Sequence, residues 1–150
     1  MVLRYFCSLV LLVSLITFTS CDDDDSPSIT EVERVTNLLV GSSAIGTTWT
    51  IQSVDVDGID YTAEFTDLAL EFSASGFTST NGREVFGPTD SWSFDSDEAT
   101  SFTTGSGLPI TIIEITEKSL TLRFTLEESI FGPGRKEAVA GENTFTFFRP

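Results

Sequence analysis

Three carboxylates fall within six residues in Asp55-Val56-Asp57-Gly58-Ile59-Asp60, a density that could present oxygens to calcium. An EF-hand loop places its glycine at the sixth position and a bidentate Glu at the twelfth, whereas Gly58 is fourth when counted from Asp55. Asp57-Gly58 is equally a two-residue hairpin signal, so the stretch reads as a metal loop or as a turn, and no metal ligand is assigned. Asp95, Asp97 and Glu98 form a second acidic group with still less order. Glycoside hydrolysis needs only two facing carboxylates, but among 23 acidic residues nothing singles out a pair, and no catalytic residue is assigned. The chain has no histidine, so Ser-His-Asp and Cys-His machinery is unavailable to it. The expectation is a protein without catalysis and without a cofactor.

The two cysteines, Cys7 and Cys21, lie in or next to an apolar leader, "MVLRYFCSLVLLVSLITFTS", whose only charge is Arg4. The uninterrupted apolar run is shorter than the roughly 20 residues of a spanning helix and reads as a secretion signal over residues 1–20. Thr19, Ser20 and Cys21 resemble the lipobox of bacterial lipoproteins, with Phe18 where an aliphatic residue is usual. That resemblance implies that the Cys21 thiol receives a diacylglycerol, that the leader is cut before it, and that a palmitate-type chain caps the new amine. Two or three acyl chains, each worth about 0.8 kcal/mol per buried methylene, anchor a protein durably. Asp22, Asp23, Asp24 and Asp25, followed by Ser26, Pro27 and Ser28, then make an extended, self-repelling tether over residues 21–28. The acidic run also resembles the export signal that sends lipoproteins of Bacteroidetes-type bacteria to the outer face of the outer membrane. Spacer and export signal both remain open readings, and the expected place is the outer membrane, lipid-anchored, at the cell surface.

Charge narrows the partners. The full chain has eight basic and 23 acidic side chains, a net of −15. Loss of the leader removes Arg4 alone and makes the balance one unit more negative. Nucleic acid is excluded as a partner, because phosphate binding requires clustered Lys and Arg and the one basic pair is Arg135-Lys136. Attraction to anionic lipid fails for the same reason, which leaves the lipid anchor as the membrane contact. Without Cys21, the part after the tether contains no thiol, hence no disulfide and no cysteine-ligated metal.

The elements that position these groups follow from periodicity. Ile29, Val32, Val35 or Thr36, and Leu39 stand at helical spacing, with Ser28 as a cap, Glu31 three residues on and Gly41 as the stop. This predicts one short amphipathic helix, either docking a partner or packed over one end of the main fold. From Trp49 the period becomes two, and eight short strands result: "WTIQSV", "LALEFS", "FTSTNG", "DSWSFD", "TSFTT", "ITIIEIT", "SLTLRFTLE" and "NTFTFF". Tight turns such as Asn81-Gly82 and Glu117-Lys118 join them, and only Glu128 to Glu142 makes a long connection. Short successive connections predict an all-β, antiparallel up-and-down meander, and eight strands suffice to close a small barrel. Residues 29–150 form one domain on this reading.

"GTTWTIQSVDVDG", "LALEFSASGFTSTNG", "DSWSFD" and "ITIIEITEKSLTLRF" resemble the lipocalin-like domains of short lipoproteins from Bacteroidetes-type bacteria. The resemblance spans Leu38 to the C-terminus. It implies a small antiparallel barrel, binding of small apolar molecules as in true lipocalins, and an Arg, here Arg149, lying across the first-strand Trp49. The inward faces supply Trp49, Phe72, Trp92, Phe94, Phe124 and Phe147 as candidate ligand-binding residues, and the same period-two pattern is what a fully packed core would show. The expected role is therefore the binding of a small apolar ligand or of an envelope protein. The rival is a structural or accessory subunit of an envelope or nutrient-uptake complex with no small-molecule ligand.

Overall fold

The computed structural model describes residues 29–42, 47–83, 85–127 and 140–150. Cys21, the four aspartates behind it and the leader lie outside the described residues, as do Arg135-Lys136 and most of the long connection. Helix α1 (Glu31–Val40) precedes nine strands: β1 (Thr48–Val56), β2 (Ile59–Asp60), β3 (Ala69–Phe72), β4 (Gly76–Thr80), β5 (Thr89–Phe94), β6 (Ser101–Thr104), β7 (Pro109–Ile115), β8 (Ser119–Leu126) and β9 (Gly141–Phe148). The eight strands other than β2 form an antiparallel meander in sequence order, and β1 pairs with β9 to close it into a barrel. β2 is a two-residue flap on β1, joined by Asp57 and Gly58 at φ 52° and 84°. That is the left-handed pair a two-residue hairpin demands, so the acidic stretch is a turn.

Strict alternation fails in two strands, and each failure is a bulge. β1 sends Trp49 inward, slips register against β9 between Ile51 and Ser53, and then sends Val54 and Val56 inward as well. Without the extra residue the two halves of the strand would face opposite ways. β7 does the same between Ile112 and Glu114, so that Ile110, Ile112 and Ile115 all reach the core.

The two barrel ends follow from the register. At one end lie the start of β1, the β3–β4, β5–β6 and β7–β8 turns, and the residue after β9. There α1 buries Val35 and Leu39. The helix starts two residues later than its spacing predicts: Thr30, not Ser28, is the N-cap, and its hydroxyl accepts the Glu33 N–H at 3.1 Å. Gly41, at φ 72°, ends it and donates to the Asn37 carbonyl. At the other end lie the β1–β2 hairpin, a 3-10 turn over Thr62–Phe65, the β6–β7 turn and the β4–β5 connection. This last connection corrects the reading of Asn81-Gly82 as a tight turn. Asn81 instead opens an eight-residue excursion to Pro88, because Gly82 and Arg83 turn the chain into the barrel rather than across to the next strand.

Candidate functional site

The lumen is where a barrel of eight strands can hold a small molecule, and its walls carry the expected aromatic residues. Trp49 and Phe147 are fully buried, Phe72, Trp92 and Phe124 nearly so, and Phe94 is half-buried at the rim. Phe72 packs edge-on to Trp92 and Phe102 at centroid distances of 6.1 and 6.2 Å, and Phe94 meets Trp92 edge-on at 4.9 Å. Phe124, Phe145 and Phe147 follow one another along the β8–β9 wall. Such edge-to-face pairs add about 0.5–1.5 kcal/mol each beyond area burial.

What fills the space between these walls is Phe86, from the β4–β5 connection. Its ring lies 6.1 Å from Phe77 on β4 and 5.8, 5.6 and 6.3 Å from Phe124, Phe145 and Phe147 on the opposite wall. It is 2% exposed. The connection is held inside by its own backbone: Phe86 N–H donates to the Gly82 carbonyl, and the Ser79 hydroxyl donates toward the carbonyls of Phe86 and Gly87. A Cβ on Gly82 would sit 2.1 Å from the Phe86 carbonyl oxygen, so only glycine fits there. Phe65, from the 3-10 turn, caps the same end against Phe145 at 4.9 Å.

The α1 end is sealed by polar groups. The Arg149 guanidinium stacks 3.8 Å over the Trp49 ring, as the resemblance implies. It also donates to the carbonyls of Leu38 at 2.7 Å and Glu117 at 3.0 Å. The Trp49 indole N–H donates to the Leu39 carbonyl at 2.9 Å. Helices end with carbonyls that lack intrahelical partners, and here two of them are taken by the barrel. Burial draws the Arg149 pKa down while nearby Glu117 opposes the shift; an arginine remains charged regardless. Trp92 is tied in a similar way, its indole N–H shared between the Ser73 and Gly76 carbonyls. Both tryptophans thus spend their polar atoms on backbone.

The acidic residues serve as turn ties. Asp55 accepts the Gly58 N–H, Asp57 accepts the Glu142 N–H, and Asp60 accepts the Thr62 N–H. Asp95 accepts the hydroxyls of Ser101 and Thr103. Hydrogen bonds from Thr62 hold the Asp60 carboxyl below its ordinary range, and those from Ser101 and Thr103 do so for Asp95. At Asp90 burial pushes the other way, but bonds from Ser106, Ser91 and Gly105 prevail and its pKa is lowered. Among the described residues no three of Asp, Glu, His or Cys gather to hold a metal ion.

Outside the lumen the surface has open grooves. One of about 540 Å³ runs between the β6–β7 turn and β8, with Leu108, Pro109, Thr111, Arg123 and Glu142 on its sides and Phe124 at its edge. Another, of about 290 Å³, passes Glu71, Phe72, Thr78 and Asp90. Sequence reasoning placed the wall residues correctly but missed Phe86, Phe65 and Val85. The signal for two of them was an apolar pair, Val85-Phe86, set in a polar Gly- and Pro-containing connection; Phe65 stood in no periodic run. Comparison with protein-family models, with curated proteins and with solved structures finds no match for this chain.

Proposed function

We propose that this chain is a lipid-anchored envelope protein, carried on Cys21 at the outer face of the outer membrane, whose barrel binds a partner protein and performs no catalysis. The observation that carries the reading is Phe86. A chain that spends one of its own aromatic rings on the centre of the barrel leaves that space to no cargo, so recognition falls to the outside, in the accessory role of an envelope complex. Asp22 to Asp25 act as the export signal in this reading. A second reading, a carrier of small apolar molecules, draws support from the aromatic wall and from the position of Phe86 on a connection rather than on a strand.

Two measurements test the proposal. Cys21→Ala should release the protein from membranes and remove its lipid mass; an unchanged membrane fraction would overturn the anchor. The soluble Cys21→Ala protein, titrated with an apolar dye such as anilinonaphthalene sulfonate, should show no saturable change in tryptophan emission. Saturable, stoichiometric quenching would favour the carrier reading instead.

A further inference from the structure

The site of attachment and the length of the tether together orient the barrel, and this inference rests on the lipidation of Cys21 proposed above. The first described residue, Ile29, leads directly into α1, and α1 is fixed to one end of the barrel through Arg149 to Leu38 and Trp49 to Leu39. The chain toward the lipid therefore leaves from the α1 end, beside the β7–β8 turn, where Ile29, Leu38 and Glu117 line one shallow concavity. Between Cys21 and Ile29 stand eight residues, counting Cys21 itself. At full extension eight residues reach about 28 Å. The eight residues of β8 measure about 27 Å along the strand, or about 20 Å along the barrel axis once strand tilt is included.

Turning the opposite end to the membrane would thus commit about 20 Å of the tether's roughly 28 Å reach to the wall alone, leaving only about 8 Å to round the rim and enter the lipid. Holding the α1 end toward the lipid needs none of that extension. Two of the exposed large apolar side chains, Ile29 at 57% and Phe148 at 41%, also belong to this end.

We infer that the barrel stands with its α1 end against the lipid surface and presents the opposite end, with the β1–β2 hairpin and the β6–β7 turn, to partners outside. The groove flanked by Leu108, Arg123 and Glu142 then lies on the presented half.

Because Cys21 is acylated and Cys7 leaves with the leader, an introduced cysteine is the sole thiol of the mature chain. Lys118→Cys, in the β7–β8 turn, and Ile59→Cys, on the hairpin flap, can each carry a fluorophore on the lipidated full chain. The proteins are placed in phosphatidylcholine vesicles bearing headgroup nitroxide lipids, which are zwitterionic and exert no orienting charge. The label at position 118 should be quenched severalfold more than the label at position 59. A flexible Gly/Ser insert after Ser28, longer than the tether itself, should shrink that difference. Equal quenching, stronger quenching at position 59, or a difference unmoved by the insert would overturn the orientation. Failure of the labelled proteins to float with vesicles, together with a mass lacking acyl chains, would instead overturn the lipidation on which the inference rests.

Discussion

The two ends of this barrel are closed by opposite means. At the α1 end the seal is directional: a guanidinium and an indole N–H meet the last carbonyls of a helix, and geometry decides whether the bonds exist. At the other end the seal is volumetric: Phe86 and Phe65 occupy space between aromatic walls, and any ring of the right size would satisfy the neighbours. A directional seal couples a specific segment, α1, to the barrel. A volumetric seal stabilises without specifying an attachment. The difference explains why the larger hydrophobic contribution and the more exacting geometry sit at opposite ends.

The volumetric end should give the larger effect when broken. Phe86→Ala removes a fully enclosed ring, and large-to-small core changes of this kind cost about 3–5 kcal/mol. Urea unfolding should read that loss as a lower midpoint with little change in slope. If the loss is well under 1 kcal/mol, the connection is not part of the core and the contrast between the ends collapses.

Arg149→Met should come next. It keeps an apolar stem over Trp49 but leaves the Leu38 and Glu117 carbonyls without their donor, at about 1–3 kcal/mol for each group left unsatisfied. The distinguishing readout is local: amides of α1 should lose hydrogen-exchange protection before those of β8 and β9. Uniform loss across the domain would mean that α1 is held by Val35 and Leu39 alone and that the polar latch adds nothing specific.

The smallest effect is acid. Asp60, Asp90 and Asp95 have folded pKa values below their ordinary ones. Their stabilisation is therefore complete above the unfolded carboxylate value, near 4, and is lost as pH falls through the lower folded values. Stability should be flat from neutral pH to about pH 5 and decline below about 4. Asp60 and Asp90 tie turns on the plugged side through titrating carboxylates, whereas the latch bonds of Arg149 and Trp49 to Leu38 and Leu39 end on backbone carbonyls, which do not titrate, so turn protection around Thr62 and Ser106 should fall before that of α1. The reverse order would reverse the comparison.

Much of this was legible in the sequence. Leu120, Leu122 and Phe124 alternate with Thr121, Arg123 and Thr125 as a half-buried strand must, and all eight barrel strands were readable in that way. Asp57-Gly58 declared its turn through the conformational freedom it needs. The bulges were not legible, because an inserted residue at Gln52 looks like one more alternation until the partner strand shows the slip. Nor was Phe86: between Gly82 and Gly87 a lone ring has no period, and only the opposing wall reveals that it points inward. The Trp49–Arg149 contact joins residues one hundred positions apart and was reached through resemblance, since no local rule connects them.

Closure by β9 has a consequence for how the chain is made. β1 finds one of its two neighbours in the barrel wall, β3 and β9, only when β9 arrives, and Trp49 gains its covering cation only from Arg149. Contacts so distant along the chain form slowly, since long loops must be ordered before any of them is rewarded. A polypeptide emerging from its N-terminal side therefore has no finished core while β9 is still being synthesised. It gains its full resistance to unfolding in one late step, when β9 pairs with both β1 and β8.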